Sequence, residues 1–114
     1  MQGMIIVEQV YIDAAKIMKA LSDPKRLKIV DMLSHGEMCA KNIQSAFSIS
    51  QPTLSHDMRV LKEAGITTEK RVGKNIFYTI NVNVLNNWSN SLDVIVSQEN
   101  SYVNDDASEE QSDL

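Results

Sequence analysis

The sequence predicts a mainly α-helical domain with a small β-hairpin, a winged helix-turn-helix in the order ααααββα that dimerises through its terminal helices. Three observations predict it. A helix opening at Gln51 on a Ser-Gln-Pro start buries one stripe, Leu54, Met58 and Leu61, and turns hydroxyl, imidazole and guanidinium groups outward. A short helical segment stands before it and a basic hairpin after it. Long helices with apolar stripes lie at both ends. Helix, turn, helix and then wing is the order in which a recognition helix is presented to duplex DNA.

Each element has a local cause. Val7, Val10, Tyr11, Ala14, Ile17, Met18 and Leu21 repeat at helical spacing and predict a first helix of about four turns. Ser22-Asp23-Pro24 ends it and starts the next, with Asp23 as N-cap and Pro24 at the first helical position, where a missing N–H costs nothing. Leu27, Ile29, Val30, Met32 and Leu33 form the second helix's inward stripe, up to the stop at His35-Gly36. A third helix runs from about Ala40 to Phe47 with Ile43, Ala46 and Phe47 inward, and Ser48-Ile49-Ser50 is the turn. The fourth is capped by Ser50 and stops at Gly65. The β-branched and aromatic runs 66–72 and 76–81 flank Gly73-Lys74-Asn75 and read as a hairpin. A last helix follows Asn83, with Leu85, Trp88, Leu92, Ile95 and Val96 on one stripe.

At 114 residues this is one domain's worth of chain. Its net charge of −4 is unevenly placed: residues 99–114 carry six acids and no Lys or Arg, which leaves residues 1–98 with nine acids against eleven basic groups, a net of +2. Residues 1–98 are therefore expected to be the DNA-binding and dimerisation domain, and 99–114 an acidic disordered tail. No apolar run reaches membrane-span length and no leader is recognisable, so the cytoplasm is the expected compartment, without membrane insertion. The single cysteine, Cys39, has no partner for an intramolecular disulfide.

The expected DNA-binding residues are Ser50, Gln51, Pro52, Thr53, Ser55, His56 and Arg59 on the fourth helix, with Lys70, Arg71, Lys74 and Asn75 in the hairpin. Gln51 suits adenine and Arg59 suits guanine or phosphate, and the hairpin tip suits the backbone or the minor groove. Asp57 would be repelled by phosphate if it faced outward; it lies on the flank of the buried stripe, where it is expected to pair with a basic group on a neighbouring helix. Ser55-His56-Asp57 resembles a catalytic triad only on paper, because consecutive helical residues point in different directions. No enzyme is expected, and no cofactor. The terminal helices carry more apolar residues than a small core covers, so Val7, Val10, Tyr11, Ala14, Leu85, Trp88, Leu92 and Ile95 are the expected dimer interface. A winged-helix module that binds protein instead of DNA is the reading from another class.

Three blocks carry a resemblance: Lys19-Ala20-Leu21-Ser22-Asp23-Pro24-Lys25-Arg26-Leu27-Lys28-Ile29, Ser50-Gln51-Pro52-Thr53-Leu54-Ser55-His56, and Leu61-Lys62-Glu63-Ala64-Gly65-Ile66 followed by Arg71-Val72-Gly73-Lys74 and Tyr78. Over about residues 10–82 the chain resembles the ArsR/SmtB family of bacterial repressors. The resemblance implies a homodimer joined by its outer helices, bound to an imperfect inverted-repeat operator in double-stranded DNA and repressing its own operon. Family members often release DNA on binding an inducer, commonly a metal ion. Here the Cys-x-Cys of the metalloid sensors reads Cys39-Ala40-Lys41, and the last helix, Asn83 to Gln98, has no His and only Asp93 as an acid. Soft metals want two or more thiolates. Cys39 stands as the one weak metal candidate and the one candidate for a metal-, metalloid- or thiol-responsive switch. The family's usual His-His is His56-Asp57 here. Without a ligand set, the chain is closest to autorepressors that act alone or answer to a regulatory protein partner.

Overall fold

The computed structural model describes the backbone of residues 2–97 and the side chains of residues 8–97. The predicted acidic tail at 99–114 and the side chain of Val7 lie outside the described residues. The elements are α1 (Gln2–Leu21), α2 (Pro24–Leu33), β1 (Met38–Cys39), α3 (Ala40–Phe47), α4 (Gln51–Glu63), β2 (Thr67–Val72), β3 (Asn75–Ile80) and α5 (Val82–Val96).

The winged helix-turn-helix is present, with one strand more than the sequence pattern predicts. Met38 and Cys39 pair antiparallel with Tyr78 and Phe77, so the sheet runs β1-β3-β2. In the hairpin, Thr67 pairs with Ile80 and Val72 with Asn75. Gly73, at φ +63, fills the first position of a two-residue turn, which a type II′ hairpin reserves for glycine. Asn75, placed in the loop by its sequence, opens β3 instead.

The core is built around α4 from the other three N-terminal helices and the inner side of the wing. Ile17 and Ala20 of α1, Ile29 and Leu33 of α2, Ile43 of α3, Leu54, Met58 and Leu61 of α4, and Ile66 and Tyr78 of the wing form one buried cluster. Two inward assignments fail. Leu27 is 51% exposed and Ala46 is exposed, because α2 and α3 are short helices that each offer a single narrow seam to α4. Met18 also faces out from α1.

Helix boundaries follow side-chain chemistry. Asp23 Oδ1 accepts the Lys25 amide at 2.9 Å, and Ser50 Oγ accepts the Thr53 amide at 3.3 Å. The stop after α4 is a Schellman motif: the Gly65 amide donates to Lys62 O at 2.9 Å and the Ile66 amide to Leu61 O at 3.0 Å, with Gly65 at φ +81. The α3–α4 turn repeats that pattern with a serine, Ser48 at φ +55, where a Cβ is disfavoured. The last helix begins at Val82 rather than after Asn83, because Asn81 is the cap: its Oδ1 accepts the Val84 amide at 3.3 Å.

Candidate nucleic-acid interface

The aim of α4 is set from below by a buried carboxylate. Asp57 is 2% exposed, and a lone carboxylate there would cost several kcal/mol in lost hydration. Two cations from the start of α2 meet it. Lys25 Nζ lies 2.8 Å from Asp57 Oδ2, and Arg26 Nη1 donates to Oδ1 at 3.3 Å. The expected pairing of Asp57 with a neighbouring helix is therefore present. Arg26 also donates through Nε to Ala20 O at 2.7 Å and reaches the Asp23 carboxylate at 3.3 Å. One guanidinium thus joins the end of α1, the cap of α2 and the middle of α4.

Above that clamp the outer face of α4 is open. Gln51, Pro52, Ser55, His56 and Arg59 are exposed. Ser50 and Thr53 are engaged with each other, Ser50 Oγ donating to Thr53 Oγ1 at 2.9 Å, so the two fasten the start of the helix. Gln51 and Ser55 line a cleft of about 170 Å³ together with Lys74 and Asn75 of the wing. His56 lies on the opposite flank of α4, in a groove shared with Lys16 and Lys19 of α1. The triad reading is dismissed by this placement: Ser55 and His56 are exposed on different flanks and Asp57 is buried.

The exposed cations of α3, α4 and the hairpin differ among themselves. Lys70 lies 3.4 Å from Glu37, and Lys62 lies 3.7 Å from Glu69; both are exposed pairs of the kind that dissociate readily in favour of phosphate. Among the described residues, Arg59 and Lys74 have no carboxylate partner, and neither has Lys41 in the first turn of α3. Lys41 was not among the residues expected at the site, because its only sequence signal was its place in the Cys39-Ala40-Lys41 run; the structure brings it to the cleft that Gln51 and Ser55 line. Cys39 itself is the half-buried N-cap of α3, and its side chain makes no capping hydrogen bond. Tyr78, below the cleft, has its phenol pKa raised by burial first and by the Glu69 carboxylate second, partly offset by Arg71. The neutral phenol is thereby favoured in the fold, which loses stability only as alkaline pH forces ionisation.

The proposed dimer residues divide by exposure. Tyr11 is 54% exposed and Val10 is also open, whereas Ala14 is already buried against its own chain. Leu85, Trp88, Leu92 and Ile95 are half-buried along α5, which packs against α1. Ile12 and Met18 add exposed apolar surface that the sequence stripe did not assign outward.

Comparison with known proteins decides the lineage. Residues 23–68, from the α2 cap into β2, match the family model described as bacterial regulatory protein, arsR family. The arsenical resistance operon repressor of Staphylococcus xylosus is 41% identical over 85 residues, covering 75% of this chain and 82% of that protein. The chain belongs to the arsR family of bacterial regulatory proteins. The transcriptional repressor SdpR of Bacillus subtilis is 43% identical to the chain over 75 residues, covering 63% of this chain and 83% of that protein. A homodimeric winged helix-turn-helix DNA-binding domain of a possible ArsR-family transcriptional regulator from Mycobacterium bovis, solved by NMR, superposes with a TM-score of 0.64 at 27% identity. That match covers 82% of this chain and 86% of the other. As a member of a family of regulators, this ArsR-family chain is not an enzyme. Among its described residues, no helix is long and apolar enough to cross a membrane.

Proposed function

We propose that this chain is a homodimeric, sequence-specific DNA-binding repressor that acts in the cytoplasm on an inverted-repeat operator of its own operon. Each α4 enters a major groove, with Gln51, Ser55 and Arg59 toward base edges, and each hairpin lays Lys70, Arg71 and Lys74 along the flanking backbone. The observation that carries this reading is the two-sidedness of α4: Leu54, Asp57, Met58 and Leu61 are buried, and the polar groups between them stand free. The exposed apolar residues of α1, next to α5, supply a surface for the second copy, and the M. bovis neighbour is described as homodimeric. No cofactor is required, and a regulatory protein partner is the proposed means of release.

A gel shift on the DNA upstream of the chain's own gene tests this. Retardation that weakens steeply with salt is expected, and Arg59→Ala is expected to cost about 1–3 kcal/mol on the specific duplex. No retardation at low salt overturns the reading. A thiol- or metalloid-responsive switch through Cys39 is the second reading, favoured by its place in the cleft beside Gln51 and by the arsenical relatives. Cys39→Ser, compared with the parent in the presence of oxidant or arsenite, separates the two.

A further inference from the structure

The cleft beside α4 contains a donor that the protein itself does not use. Tyr78 is 6% exposed and lines this cleft, and among the described residues no group accepts or donates a hydrogen bond at its hydroxyl. The ring is buried while the hydroxyl keeps its access to the cleft, where it is free to donate to an acceptor that enters. The surroundings specify the acceptor's charge. Lys41 and Lys74 stand in the walls, Gln51 and Ser55 add polar side chains, and among the described residues no carboxylate lines the cleft. The floor is also where α3 begins, and because the Cys39 thiol makes no capping hydrogen bond, no side chain of the cap covers the opening amides. The start of a helix carries partial positive charge and amides that suit an oxyanion.

We infer that this cleft seats one backbone phosphate of duplex DNA, between the first turn of α3 and the wing turn, with the Tyr78 hydroxyl as a donor from its floor. The inference rests on the DNA-binding reading above and names a contact that reading lacks. A DNA phosphate suits the cleft better than a free anion because Gln51 and Ser55 form one wall. Those residues belong to the base-facing side of α4, so a phosphate held here lies on the strand bordering the groove that α4 enters. Raised by burial, the Tyr78 phenol stays protonated and able to donate across the physiological range.

Tyr78→Phe in the full chain removes one oxygen and keeps the ring in the core. By fluorescence anisotropy it is expected to weaken binding about tenfold on both the upstream duplex and an unrelated one, since phosphate contacts carry no sequence information. A walk of single methylphosphonates across each half-site then locates the contact: one position weakens the parent about tenfold and leaves Tyr78→Phe unaffected. If Tyr78→Phe binds both duplexes as the parent does, the phosphate seat is overturned while the DNA-binding reading stands; a parent that binds no duplex removes the DNA-binding reading itself. Should the variant melt lower than the parent, the same walk on Lys41→Gln decides, and full methylphosphonate sensitivity at every position there overturns the seat. Inorganic phosphate at matched ionic strength that raises the parent's melting temperature, with DNA affinity equal in parent and Tyr78→Phe, makes this a free-anion site and also overturns it.

Discussion

Lys25 and Arg26 at the start of α2, and Lys70, Arg71 and Lys74 in the wing, are the same kinds of side chain within one small domain, yet their surroundings give them different work. The first pair lies against a carboxylate that is almost fully removed from water, and Arg26 makes two further contacts, at 2.7 and 3.3 Å. The wing set stands in solvent, and among the described residues only Lys70 of its three members pairs with a carboxylate, 3.4 Å away at the surface. Buried pairs resist salt and hold geometry; exposed cations are screened and keep their charge available to a polyanion. The number of basic residues is therefore a poor guide to DNA contact here. What discriminates is whether an acid has already claimed the charge out of reach of water.

The sharpest way to break this contrast is Asp57→Ala. It strands Lys25 and Arg26 beside an emptied core position and is expected to cost about 3 kcal/mol, read as a lower urea midpoint. A loss below about 1 kcal/mol would place the clamp with ordinary surface pairs. Wing substitutions should behave in the opposite way. Arg71→Ala and Lys74→Ala are expected to leave stability within about 0.5 kcal/mol, while each reduces the salt dependence of DNA affinity by about one unit of slope. A wing variant that shifted the urea midpoint as much as Asp57→Ala would erase the distinction. The smallest effect belongs to the turn between the two regions. Ser48→Gly relieves a side chain held at φ +55 and is expected to add roughly 0.5–1 kcal/mol of stability without changing DNA affinity.

Much of the fold was legible because its signals are local. Asp23, Ser50 and Gly65 declare helix ends by chemistry that needs no distant partner, and the stripe of α4 repeats over three turns. The pairing of Asp57 was legible by a negative argument, since an acid facing phosphate is untenable. What escaped depends on distant partners. Met38 and Cys39 form a strand only because β3 offers them an edge, and two residues carry no periodicity. Leu27 and Ala46 are exposed because of how α2 and α3 dock, which helical spacing alone does not reveal. Asn81 and Asn83 are chemically identical as caps, and the end of β3 selects the former. Within the candidate site, the residues on α4 were readable from its face, whereas the cleft that joins Lys41, Ser55, Lys74 and Tyr78 draws on α3, α4, the wing turn and β3.

Arg26 touches the last turn of the long first helix with one nitrogen and the middle of the reading helix with another. The three groups that meet on this guanidinium, the Ala20 carbonyl and the Asp23 and Asp57 carboxylates, thereby keep one mutual spacing across the junction of α1 and α2. A single planar side chain thus acts as a hinge pin: drawn out, it would leave the first helix and the fourth without their shared fastening.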